Sequence, residues 1–264
     1  MNSRPRGIKM RRRAEGWTSS PPLWQPLRDM TQRQPITALP PSSPPVRQST
    51  ALWAAAVGWA GYLAVVALFL SGKADGIDRA AVRVLRHDGW LWSAGTAHMR
   101  EAMRDLTALG GTLLLVLVTA AVALVLVALR RRREALALAL AAAGAPIFNS
   151  VIKAVIDRPR PDVASRLTEV TSASFPSGHS FNSAAIYLCI ALTFAALATA
   201  PRARHTLIIG ALVLSAAIAT SRIWLGVHYP TDVMAGWMGG VGWAFTAAAL
   251  ASWANSTDRR PTEG

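Results

Sequence analysis

Three short segments of this chain carry residues whose types and spacing suit the handling of a phosphate group. The first is Lys153-Ala-Val-Ile-Asp-Arg158-Pro-Arg160-Pro161. The second is Pro176-Ser177-Gly178-His179, and the third runs Ser221-Arg222-Ile-Trp-Leu-Gly-Val-His228-Tyr-Pro-Thr-Asp232. Taken alone, each has an ordinary explanation. Lys153 and Arg160 could be end-caps snorkelling from a membrane helix. Ser177 could simply start a helix. His228 and Asp232 could be a structural pair between helices. Taken together they form a set that phosphoryl transfer needs, because that reaction depends on positioning and on neutralising charge on the equatorial oxygens.

The roles follow from the side-chain chemistry. Lys153, Arg160 and Arg222 supply cations, the arginine forks matching pairs of phosphate oxygens. Ser177 and Gly178 at a helix N-terminus offer backbone amides and a favourable dipole, and glycine admits close approach of the anion. His228 is followed four residues later by Asp232, a carboxylate able to hold one ring nitrogen and aim the other at phosphorus. His179 has no carboxylate within its motif and suits the acid that protonates the leaving oxygen. The implied reaction has two steps, a phosphohistidine at His228 and then its hydrolysis. No set of residues with metal-ligand spacing accompanies these motifs, so neither a metal nor another cofactor is expected.

Long apolar runs decide what positions the three segments. Leu52–Leu70 and Gly111–Leu129 each contain 19 uncharged residues. At about 1.5 Å per residue, about 20 residues cross a hydrocarbon core of roughly 30 Å. Six spans are predicted, near 52–70, 111–129, 134–152, 179–199, 206–221 and 233–253, with Pro146 a possible kink in the third. Residues 75–107 are too charged to span. Ile77, Ala81, Val84 and Leu85 share one stripe and Met99, Met103 and Leu106 another, which predicts one or two amphipathic helices along the interface. His87 and His98 in that stretch read as wet interfacial side chains. The expected fold is therefore all-α: an integral membrane six-helix bundle with amphipathic interfacial helices.

Residues 1–50 carry nine prolines and nine Lys/Arg without a long apolar run. They read as a disordered basic cytoplasmic tail rather than a signal peptide or a nucleic-acid-binding arm. Residues 51–254 form the six-span domain, and residues 255–264 a short cytoplasmic tail. With an even number of spans, one side of the membrane holds 17 Lys/Arg against five Asp/Glu, and the other 11 against nine. The positive-inside rule puts both termini in the cytoplasm and all three motifs on the outer, extracytoplasmic face of the cell membrane. Cys189, the only cysteine, lies in an apolar run and reads as a packing residue.

At these residues the sequence resembles the type 2 phosphatidic acid phosphatase family, which shares its pocket with vanadium haloperoxidases. The pattern is Lys, six residues, Arg-Pro; then Pro-Ser-Gly-His; then Ser-Arg, five residues, His, three residues, Asp. Every position from Lys153 to Asp232 matches. The resemblance covers roughly residues 50–250. It implies His228 as nucleophile, Asp232 as its orienting partner, His179 as general acid, and Lys153, Arg160, Ser177, Gly178 and Arg222 as phosphate ligands. Arg158 makes a second Arg-Pro pair outside the family spacing and is expected at the rim or in a structural place. The implied partner is a lipid phosphate in the bilayer, of the phosphatidic acid or phosphatidylglycerophosphate type. Undecaprenyl diphosphate is the alternative substrate; a haloperoxidase and a non-catalytic lipid binder are weaker readings. Residues 162–175 are expected to bear on the choice of lipid.

Overall fold

The computed structural model describes residues 44, 46–87, 97–161 and 172–257. The expected N-terminal tail therefore lies almost wholly outside the described residues, as do residues 162–171 and the last seven. The described chain is built of eight helices: α1 (Gln48–Leu70), α2 (Ala74–His87), α3 (Ala97–Ala108), α4 (Thr112–Ala128), α5 (Arg132–Ile156), α6 (Gly178–Leu197), α7 (Pro201–Trp224) and α8 (Pro230–Thr257).

Helices α1, α5, α6, α7 and α8 are long and apolar enough to cross a membrane. The 17-residue α4 meets the same length and apolarity only together with α3, across a 49° bend, which makes up to six spans. Each expected span has its helix. The helices for the third and fifth, α5 and α7, run past the expected ends by up to about a turn. Pro146 sits inside α5, which continues unbroken to Ile156. Its missing N–H costs one internal bond in a helix otherwise satisfied along its length.

Helix α8 is the hub: α1 and α6 both lie along it, and α6 is flanked by α5 and α7. The core between them gathers Ala51, Ala55, Leu126, Leu138, Leu188, Leu192, Ala244 and Phe245. Outward, Leu63, Leu113, Leu124, Val155, Val213 and Leu250 are exposed. A surface of that kind is unfavourable in water by about 25 cal/mol per Å² and comfortable in hydrocarbon.

The α6–α8 contact brings two of the motifs together. A Cβ on Gly236 would stand 2.5 Å from the carbonyl oxygen of Ser177, and one on Gly240 would strike the backbone at Phe181. Gly236 and Gly240, one turn apart, let the start of α6 press against α8, as small residues do between membrane helices. Because Gly236 lies one turn after Asp232, this close crossing carries Ser177 to the same end of the bundle.

Both amphipathic helices form, and on α2 the residues that meet the protein are not those of the apolar stripe. Ile77, in the apolar stripe, is 51% exposed, while Ala74 and Asp78 are the residues turned fully inward. Asp78 thus brings a carboxylate to the face that meets the protein, while Ile77 stays outward.

Candidate active site

His228 stands in the short turn between α7 and α8. Gly226, with φ of 71°, supplies the left-handed residue that the turn needs. Asp232, in the first turn of α8, accepts the N–H of Tyr229 at 2.9 Å and so fixes the histidine relative to the helix start. Its Oδ2 lies 3.5 Å from His228 Nδ1. The other ring nitrogen, Nε2, is 3.1 Å from a terminal nitrogen of Arg160. A guanidinium can only donate. Nε2 is therefore the lone-pair nitrogen, and the imidazole proton belongs on Nδ1, toward Asp232. Burial, with Arg160 and Arg222 adding to it and Asp232 opposing it, holds the His228 imidazole down at about 4. The ring is neutral near pH 7.

The three cations come from three elements. Arg160, beyond the end of α5, donates from Nε to the Ser172 carbonyl at 2.7 Å and from a terminal nitrogen to the Val227 carbonyl at 2.8 Å. Those bonds lock its fork beside His228. Lys153, in the last turn of α5, donates to the Ala173 carbonyl. Arg222, buried in the last turn of α7, donates to Thr107 Oγ1 of α3 at 2.6 Å. Its buried Nε has no partner among the described residues. A buried charged donor left unmatched is costly, and an anion oxygen would satisfy it.

At the start of α6, Ser177 is the N-cap, its Oγ accepting from the Ser180 amide at 3.4 Å and from the Ser180 hydroxyl at 2.8 Å. Its own N–H goes to the Asp232 carbonyl at 2.9 Å. The expectation that both the Ser177 and Gly178 amides face an anion is thus corrected for Ser177: that amide welds the second motif to the third. A Cβ on Gly178 would stand 3.4 Å from Asn149 Nδ2 and 3.7 Å from Lys153 Cε, which puts the start of α6 beside Lys153. His179 lies within electrostatic reach of Arg222, His228, Arg160 and Lys153. Its Cδ2 would be 3.3 Å from a Cβ on Gly110, in the bend between α3 and α4. All eight residues singled out in the sequence converge on this one end of the bundle.

Other residues belong to the site without having been singled out for it. Ser174 is fully buried, donates to Asp232 Oδ2 at 2.5 Å and lies 3.4 Å from His228 Nδ1. Arg158 is not at the rim: it is 4% exposed, its carbonyl takes the Ser174 N–H at 2.8 Å, and its guanidinium turns away from Arg160 to the back of Asp232. There it donates to Asp232 Oδ1 at 2.7 Å, Thr231 Oγ1 at 2.9 Å, Asp78 Oδ2 at 2.8 Å and Asp75 Oδ1 at 3.0 Å. Only the second Arg-Pro pair hinted at Arg158. Asp78 on α2 carried no signal at all in the sequence.

Comparison with known proteins agrees with this geometry. Residues 134–256 match the model of the PAP2 superfamily, so the second half of the chain is a PAP2 superfamily domain. That stretch includes all eight site residues. The chain is 41% identical over 91 residues to phosphatidylglycerophosphatase B of Bacillus subtilis, covering 34% of this chain and 44% of that protein. It is 37% identical over 89 residues to decaprenylphosphoryl-5-phosphoribose phosphatase of Mycolicibacterium smegmatis, covering 33% of this chain and 43% of the relative. The matched region thus spans less than half the length of either curated relative. The crystal structure of a transmembrane PAP2 type phosphatidylglycerolphosphate phosphatase from Bacillus subtilis superposes with a TM-score of 0.64 at 24% identity. It covers 80% of this chain and 100% of that one, a likeness of fold.

Proposed function

We propose that this protein is a membrane phosphatase that hydrolyses lipid phosphate monoesters or diphosphates, of the phosphatidic acid or phosphatidylglycerophosphate type, through a phosphohistidine at His228. The observation that carries this reading is the orientation of His228, with its Nδ1 toward Asp232 and an unprotonated Nε2 toward Arg160.

In this mechanism the phosphate enters among Lys153, Arg160 and Arg222. Arg160 transfers its hydrogen bond from Nε2 to a phosphate oxygen, which frees the lone pair. The Arg222 Nε, the Gly178 amide and the Ser177 hydroxyl complete the set of donors. Nε2 attacks phosphorus in line, the P–O bond to the lipid breaks, and His179 gives its proton to the departing oxygen. The incoming dianion supplies the negative charge that favours a protonated His179. Asp232 stabilises the positive charge that develops on His228, the charge-assisted bond strengthening in the transition state. Water then attacks the phosphohistidine, with His179 taking its proton, and phosphate leaves. Preorganised donors of this kind typically contribute about 2.7–4 kcal/mol each to the barrier.

A second substrate class is supported by the likeness to a phosphatase named for a decaprenyl-linked substrate. A polyprenyl phosphate or undecaprenyl diphosphate presents the same phosphate end on a longer apolar chain. The charge balance of the loops supports both termini in the cytoplasm and the pocket on the extracytoplasmic side.

The test is phosphate release by the purified full chain in detergent with EDTA. The panel comprises phosphatidic acid, phosphatidylglycerophosphate, undecaprenyl diphosphate and a decaprenyl-linked phosphate. Turnover of at least one lipid with EDTA present is expected. Inactivity on all of them, or a strict need for a divalent metal, would overturn the reading.

A further inference from the structure

Behind His228 and Asp232 lies a second, separate set of ionisable side chains. Asp232 Oδ2 serves the pocket side, accepting from Ser174 and Tyr229 and facing His228; Oδ1 faces away and meets Arg158 at 2.7 Å. Arg158 packs over two rings, its guanidinium carbon 4.9 Å from the Phe69 centroid and 4.3 Å from that of Tyr229. Its other terminal nitrogen reaches Asp78, which is fully buried, and Asp75. Asp78 in turn accepts the Thr231 amide at 3.1 Å and the Thr231 hydroxyl at 2.5 Å. Thus α2 is fastened by Asp78 to the residue just before Asp232.

We infer that Arg158, held in place by Asp78, is a positioning residue for the His228–Asp232 pair, fixing the Asp232 carboxylate plane and offsetting its charge from behind. The inference rests on the proposed function and adds a layer that the three motifs do not contain. Its physical basis is a conflict in the pocket. Asp232 must be ionised to stabilise a charged His228 in the transition state, yet an uncompensated carboxylate at that distance would draw a proton onto His228 beforehand. A guanidinium on the far oxygen moderates the carboxylate without touching the imidazole. Its fork bridges Asp232, Asp78 and Asp75 at once, a geometry that lysine cannot reproduce. The other groups bearing on His228 are Arg160 and Arg222, with His179 and Lys153 beyond them, and among the described residues Arg158 is the cation that meets the far oxygen of Asp232.

The experiment follows the His228 imidazole by NMR titration of the full chain in detergent, its signal assigned by absence in H228Q. Steady-state kinetics on phosphatidic acid accompany it. In R158Q the His228 midpoint is expected to rise by about one pH unit or more, as an unbalanced carboxylate within reach demands. kcat is expected to fall roughly ten- to hundred-fold, with KM within about threefold of wild type. R158K restores the charge and brings the midpoint back, while kcat recovers only in part. D78N keeps the Arg158–Asp232 contact but loosens Arg158, so kcat falls about three- to tenfold without an upward shift of the midpoint. An unchanged His228 midpoint in folded R158Q overturns the inference. If R158Q does not accumulate as folded protein, D78N decides: wild-type kcat in that variant overturns it, and the stated loss at constant KM upholds it. A shifted midpoint in a protein that releases no phosphate from any lipid would instead remove the proposed function and leave the positioning role standing.

Discussion

The pocket-facing layer and the layer behind it are built on opposite electrostatic rules, although Arg160 of the first and Arg158 of the second stand only two residues apart in the chain. In front, Lys153, Arg160 and Arg222 gather positive charge and partner it mainly with neutral acceptors: the Ala173, Ser172 and Val227 carbonyls and the Thr107 hydroxyl. Behind, Arg158 is surrounded by Asp75, Asp78 and Asp232. In the proposed function a phosphate dianion brings negative charge to the front layer. The back layer is satisfied internally, and rigidity is its contribution. A buried ion network that breaks even in stability can still hold one geometry.

If that division is right, substitutions in the two layers fail differently. The largest loss is expected for H228A, which removes the proposed nucleophile and should lower kcat by roughly 10⁴-fold or more while the protein still folds. Unchanged turnover would end the nucleophile assignment. R160Q and R222Q come next, each costing on the order of 10²–10³-fold in kcat/KM. A front-layer substitution that left kcat/KM intact would dissolve the distinction between layers. S174A, which removes one of the bonds holding Asp232, should cost about tenfold in kcat. G236A should lower thermal stability, by about 1–3 kcal/mol, because the added methyl meets the Ser177 carbonyl. Thermal unfolding in detergent measures it, and a variant as stable as wild type would show the α6–α8 crossing to be looser than described.

The pH profile sharpens the same contrast. The His228 imidazole, depressed by burial to about 4, is neutral and nucleophilic above that pH. As pH falls through about 4 it gains a proton and turnover is lost, giving an acid limb for kcat/KM. Plotting rates against the concentration of substrate dianion separates this limb from the ester's own ionisation near ~6. The proposed role of His179 as acid gives an alkaline limb, so the profile should be bell-shaped. A profile flat to pH 3 would count against a histidine nucleophile.

Much of this could be read before any fold was known, and the reasons are local. Span length depends on apolar content, so α1 and α4 were plain in the sequence. The pocket residues sit at fixed spacing on helix ends, so His228 and Asp232, four apart across a helix start, announced their pairing. What escaped depends on contacts between distant segments. Ser174 lies two residues before a recognisable motif, and only the fold turns it onto Asp232. Asp78 belonged to no motif in the sequence, and only the fold buries it against Arg158 and Thr231. The Ser177 amide was assigned to the anion because helix starts commonly offer such donors, whereas the close α6–α8 crossing gives it to Asp232.

The central claim is that His228 becomes phosphorylated on Nε2. The direct measurement is rapid-quench labelling of the purified protein with a radiolabelled lipid phosphate, followed by phosphoamino-acid analysis. The account predicts an acid-labile, base-stable phosphohistidine that forms and decays within one turnover, maps to the peptide containing His228 and is absent from H228Q. Single-turnover release of phosphate with no label on the protein, or with label retained in H228Q, would contradict it.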